Sequence, residues 1–241
     1  MPARRRTDPV VLRDGAITAL VTRRGQADRM GVHLEGRLAF DLSAVVVDRA
    51  QLRAGDALSA DRQRELLEQD APYRARERAL RFLGVHDRSQ REVEMRLRQV
   101  GFLPEVIGQT VVWLKSLDYL DDRRFAEAYA AEKQRTGWGT RRIRAELTGK
   151  GVDRSVIDEV LEIQDEAEAT GAREGADALE QTVRKRFSSQ FASDPQAAER
   201  RLAGFLARRG YDWETIGRMA RTLRAEAADA ASAKPGSPSV P

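Results

Sequence analysis

The chain has 241 residues, with 42 Lys or Arg against 38 Asp or Glu, a formal charge of +4, and no cysteine. The absence of cysteine excludes disulfides and thiolate-bound zinc, and so small a positive excess gives no long-range field for tight nonspecific DNA binding, so nucleic-acid contact must come from local basic patches. With 33% charged and only 6% aromatic residues, the mixture suits small helical units with thin cores, and no apolar run approaches the ~18 residues of a membrane-spanning helix.

Residues 1–14 read as a disordered basic arm, and no signal-peptide core follows "MPARRRTDPV". A soluble, cytoplasmic protein is expected. Residues 15–70 are expected to form a small α+β unit. "AITALVTRR" and "MGVHLEGRLAFDLS" alternate apolar and polar residues, with a turn at Glu35-Gly36. Ile17, Ala19 and Val21 are expected on one face, as are Val32, Leu34, Leu38 and Phe40. Ser43 then caps a helix over "AVVVDRAQLR" that Gly55 stops, and Ser59 starts a second helix, "ADRQRELLEQD".

From Ala71 the pattern is wholly helical and repeats. Val93, Leu97, Gly101, Phe102 and Ile107 recur as Ile143, Leu147, Gly151, Val152 and Ile157, then as Leu202, Leu206, Gly210, Tyr211 and Ile216. The first two residues lie one helical turn apart on a core face. The glycine ends that helix in a left-handed conformation, the next residue turns back to the core, and Ile opens another helix. Each copy has an upstream helix, in "ALRFLGV", "RFAEAYAAEKQ" and "LEQTVRKRF". The reading is three-helix repeats over 71–118, 119–165 and 171–227, then a disordered tail over 228–241. Ser89 with Glu92 forms a capping box, while Pro104 and Asp194-Pro195 mark helix starts. The fold class is mainly α: tandem three-helix, helix-turn-helix-like repeats in an elongated array behind a small α+β unit.

Arg135, Arg141, Arg142, Arg144, Lys150 and Arg154 crowd one segment against Glu146 and Asp153. With Ile143 and Leu147 facing the core, Arg141 and Arg142 point outward and Arg144 lies on a flank. Arg88, Arg91, Arg96 and Arg98 form a comparable patch in the first copy, and Arg200, Arg201, Arg208 and Arg209 in the third. Such a set is either an ordinary solvated face or a surface for phosphates or another anionic partner. Trp138, between Gly137 and Gly139, either stacks on a base or partner side chain or covers a small core. Asp121 and Asp122 could be nuclease carboxylates, but their place before a helix makes capping the better account. "HDRS" holds triad residue types, yet neighbours along a chain do not point at one another as a triad requires, and Ser89 is committed to its cap. His33 lies in a strand-like alternation. No catalytic, metal or cofactor site emerges. The remaining alternative is a transcription regulator reading bases with Arg141 or Arg144.

"YLDDRRFAEAY", "GTRRIRAELTGKGV", "FLARRGYDWETI" and "RSQREVEMRLRQVGF" occur in an order that resembles the RecX family, bacterial regulators of the RecA recombinase. The likeness runs from residue 71 to about 225, and the preceding β unit resembles an N-terminal extension that some members carry. The resemblance implies a bent array of three-helix repeats with a cationic face. It further implies a non-enzymatic, monomeric protein that binds RecA and the groove of RecA–single-stranded-DNA filaments. Such a protein would block filament growth or promote disassembly, and so inhibit ATPase, strand exchange and coprotease activities. It would also touch the backbone of single- or double-stranded DNA. By motif position Arg141, Arg142, Arg144 and Lys150 fall on the central helix of the array. His86-Asp87 stand where basic residues are common, and a long loop over Ser188–Asp194 departs from the pattern.

Overall fold

The computed structural model describes residues 12–169 and 174–232; most of the expected basic arm and tail lies outside them. Two compact units form. The first takes the chain up to His86 together with Val93–Tyr119, and the second takes Asp87–Glu92 together with the chain from Leu120 onward.

In the first unit β1 (Gly15–Arg23), β2 (Gln26–Leu34) and β3 (Arg37–Ser43) make an antiparallel meander, followed by α1 (Ala44–Arg49) and β4 (Ala57–Leu58). The sheet order is β3-β2-β1-β4. Glu35 and Gly36 both have positive φ, the mirror-image turn that matches strand twist. The expected single-face alternation is corrected by two bulges. Ile17 pairs with Leu34 but Ala19 pairs with His33, so the extra residue Thr18 sends Ala19 and Val21 to the outer face and brings Leu20 to the core. Phe40 pairs with Val32 but Leu38 pairs with His33, so Ala39 turns Leu38 outward in the same way.

Ser43 caps α1, but the helix ends six residues before Gly55. Gln51 takes the left-handed conformation that was assigned to a glycine, and Gln51 and Leu52 donate to the Asp48 and Val47 carbonyls. Leu12 to Asp14 are not a loose arm: the Arg13 carbonyl accepts from Gln63, and Asp14 accepts from the Ala60 amide. Beneath the sheet, Asp70 is fully buried and bonded twice by Arg29 and once by the Ser43 amide, at 2.7–3.1 Å.

The helix from Ser59 does not stop at Asp70. As α2 it runs Ala60–Leu83 straight through Pro72. Proline removes one helical hydrogen bond, and burial of Leu66 on one side and of Ala75 and Ala79 on the other keeps the helix whole. The α+β unit and the first repeat therefore share one helix. The rest of that repeat is α3 (Gln90–Val100) and α4 (Pro104–Ser116).

The second repeat is α5 (Asp122–Arg135), α6 (Thr140–Gly149) and α7 (Arg154–Ala169); the third is α8 (Glu174–Ser193), α9 (Pro195–Arg208) and α10 (Trp213–Ser232). No loop spans Ser188–Asp194. Leu179, Val183, Phe187 and Phe191 recur every four residues and are all buried, so one apolar stripe carries α8 through the serines. Likewise α10 continues to Ser232 where a tail was expected from 228, since its alanine-rich end has high helix propensity.

The repeated frame is realised three times. Gly101, Gly151 and Gly210 all have positive φ. The amides of Phe102, Val152 and Tyr211 reach back to the carbonyls of Leu97, Leu147 and Leu206, at 3.1–3.2 Å. That bond closes the glycine-ended helix turn. Val93, Leu97, Ile143, Leu147, Leu202 and Leu206 are completely buried.

Candidate functional site

The second unit contains two junctions built alike. The amide of Gly139, which caps α6, donates to the Arg209 carbonyl at 2.7 Å, and the Arg141 amide donates to the Gly210 carbonyl at 3.2 Å. At the equivalent frame positions Ser89 Oγ donates to the Lys150 carbonyl at 2.6 Å, and the Arg91 side chain lies across Gly151. In each junction the start of one repeat's middle helix closes on the glycine turn of the next. No side chain fits at these turns: a Cβ on Gly151 would sit 2.6 Å from Arg91 Cβ, and one on Gly139 would sit 2.5 Å from the Gly210 carbonyl.

These junctions sort the basic residues. Lys150 Nζ holds Glu92 Oε1 at 2.9 Å, and Arg88 approaches the same carboxylate at 3.9 Å. Burial opposes ionisation of Glu92, but the hydrogen bonds from Lys150 and the Ser89 amide, with the charges of Lys150 and Arg88, outweigh it and leave its pKa below the ordinary value. Ser89 and Glu92 also exchange the expected capping-box bonds. Arg144 and Arg154 both pair with Asp158. Arg209 stacks over Phe205 at 4.5 Å and donates to the Gly137 carbonyl. Trp138 packs on the core of the second repeat, with the Arg142 guanidinium 3.7 Å over its ring. Arg135, Arg200 and Arg201 are exposed; Arg201 bonds Gln190. Arg96 and Arg98 belong to the first unit.

What the second junction brings together is Arg141, Arg142 and Arg208. They line an open cleft of about 510 Å³ with Ala207, Gly210, Tyr211 and Trp213. Among the described residues no acidic one lines it. Trp213, 69% exposed, was not among the candidates. A signal for it existed: three residues after the glycine of the frame, the equivalent Arg154 side chain is 91% exposed, so an aromatic there faces out rather than in.

The carboxylates weighed as nuclease ligands are occupied as caps. Asp121 accepts from the Arg123 and Arg124 amides and Asp122 from the Gln90 amide. Among the described residues no cluster of His, Asp or Glu could hold a metal ion, and no helix is long and apolar enough to cross a membrane.

Comparison with known proteins places the three repeats. The RecX first, second and third three-helix domain models match residues 75–114, 121–161 and 173–219, in that order. The chain belongs to the RecX family. A RecX regulatory protein of Clostridium acetobutylicum is 25% identical over 89% of this chain and 99% of its own length. The RecX regulatory protein of Bacillus subtilis is 32% identical over 60% of this chain and 55% of its own. In fold, a RecX crystal structure covers 86% of this chain and 99% of its own with a TM-score of 0.60 at 19% identity. RecX from Lactobacillus salivarius gives 0.54 at 21% identity, covering 65% of this chain and 99% of its own. RecX proteins are regulatory proteins, and this member is built from the same tandem domains.

Proposed function

We propose that this RecX-family chain regulates the RecA recombinase by binding RecA and RecA–single-stranded-DNA filaments, inhibiting filament extension and with it ATPase, strand exchange and coprotease activity. The supporting observation is the ordered match of all three RecX domains. The basic cleft fits this role, because its arginines come from two adjoining repeats and two of them, Arg141 and Arg208, are exposed. A filament partner needs contacts to a regular phosphate backbone and to protein, not base reading. The protein acts by binding, as a monomer in the cytoplasm, and its contact residues are drawn first from Arg141, Arg142 and Arg208.

The test is RecA's ATPase on single-stranded DNA, titrated with the full-length chain. Suppression at fewer copies of the protein than of RecA is expected. Unchanged ATPase and strand exchange in excess protein would overturn the proposal. A duplex consensus emerging from random-sequence selection would instead favour a transcription regulator.

A further inference from the structure

Several arginines elsewhere in the second unit have acidic neighbours. Arg123 bonds Glu127 and Glu159, Arg144 and Arg154 share Asp158, and Arg184 bonds Glu226. Arg141 and Arg208 also lie together: among the described residues neither side chain makes an ion pair with a carboxylate, and both line one cleft. Beside them the Trp213 indole stands exposed, without a ring partner among the described residues. Its backbone is held at the start of α10, which Asp212 caps by accepting from the Thr215 amide at 2.7 Å. An exposed indole face beside two cations suits one ligand chemistry. It needs a flat apolar face and an anion a few ångströms away.

We propose that this cleft holds one unstacked nucleotide of a single strand, its base lying on Trp213 and its phosphate between Arg141 and Arg208. The volume of about 510 Å³ falls within the range of small-ligand sites, roughly 300–1,000 Å³. A duplex cannot use the indole, since its base faces are already stacked. An acidic peptide would satisfy the arginines and leave the indole in water. Arg142, held over Trp138, forms the rigid wall behind the phosphate. The inference rests on the nucleic-acid part of the proposed function and assigns that contact to particular side chains.

The experiment uses the full-length protein without RecA and a fluorescein-labelled 15-residue oligothymidylate, read by fluorescence anisotropy at low salt. Trp213→Ala is expected to weaken binding about tenfold, within the range for loss of one base stack, while Trp213→Phe binds as the unaltered protein does. On an oligomer lacking bases, Trp213→Ala should make no difference. Arg141→Ala with Arg208→Ala should weaken binding to both strands and reduce the salt slope by roughly 0.7, as for one phosphate contact on a single strand. No binding by the unaltered protein, an unchanged affinity in Trp213→Ala, or an equal loss on the baseless strand would overturn the proposal. So would polyglutamate displacing the oligomer at equal charge in a Trp213-dependent way, which would give the cleft to an acidic protein. Because RecA is absent, any of these failures leaves inhibition of RecA to be decided by its own assay.

Discussion

Gly139 and Gly210 touch backbone to backbone: a methyl on Gly139 would lie 2.5 Å from the Gly210 carbonyl carbon and oxygen. Gly139 has φ −84, which any residue adopts, so alanine there carries no conformational penalty and tests the contact alone. Gly139→Ala is expected to destabilise the second unit by about 1–3 kcal/mol through overpacking. Gly149→Ala is the control, since nothing lies within 4 Å of its added methyl; it should be neutral or stabilise α6 by up to about 1 kcal/mol. Urea denaturation followed by circular dichroism separates the two.

Truncating the frame leucines should cost alike in each repeat. Leu97, Leu147 and Leu206 are equally buried, so each Leu→Ala change is expected to lose about 2–5 kcal/mol. A much smaller loss at any one of them, measured by the same denaturation, would show that its repeat relaxes around the void.

The Glu92–Lys150 pair gives a pH dependence. The pKa of Glu92 is lowered in the folded state, so its contribution to stability is present above the ordinary glutamate value of 4.5. It is lost as pH falls through the lower folded value. Glu92→Gln should therefore remove part of the acid limb of stability below that value. Melting temperatures of the two proteins, compared from neutral pH downward, should converge as the pH drops.

In the first unit, Asp70→Ala leaves the Arg29 guanidinium buried without its carboxylate and the Ser43 amide without its acceptor. A loss of about 3–5 kcal/mol is expected. Asp61→Ala, which removes an exposed carboxylate paired only with Arg64, should change stability by less than about 1 kcal/mol.

For function, Arg141→Ala with Arg208→Ala should raise the concentration needed to suppress RecA's ATPase, while Arg144→Ala with Arg154→Ala should raise it less. The first pair lines the cleft, whereas the second shares Asp158 as an ion-pair partner. Equal effects would move the contact surface along α6.

The repeats were legible because each relies on a signal that survives in one dimension: two buried residues a turn apart, then a glycine with positive φ. The strands were legible only in outline. A bulge at Thr18 or Ala39 adds one residue without any compositional mark, and every later side chain then changes face. Gln51 hid the end of α1 because a left-handed residue was sought among glycines. The serines after Phe187 suggested a loop, although Leu179, Val183, Phe187 and Phe191 carried the stronger helical period. Within the candidate surface, the sequence marked Arg141, Arg142 and Arg208 but could not tell them from Arg144 or Arg154. That distinction depends on Asp158, which lies one turn beyond Arg154 on α7 and on a different helix from Arg144. Trp213 carries no mark of exposure in the sequence unless its frame position is compared with that of Arg154.

The two junctions have a consequence for how this chain can vary. Ser89 meets Lys150 and Gly139 meets Arg209 at matching frame positions, although 50 residues separate the first two copies of the frame and 59 the next two. The extra residues lie outside the contact, so they lengthen the chain without altering the joint. Helices such as α8 can then gain or lose turns while the coupling between neighbours stays the same, and a lineage is free to experiment with the outer surface of a repeat without re-machining the joint.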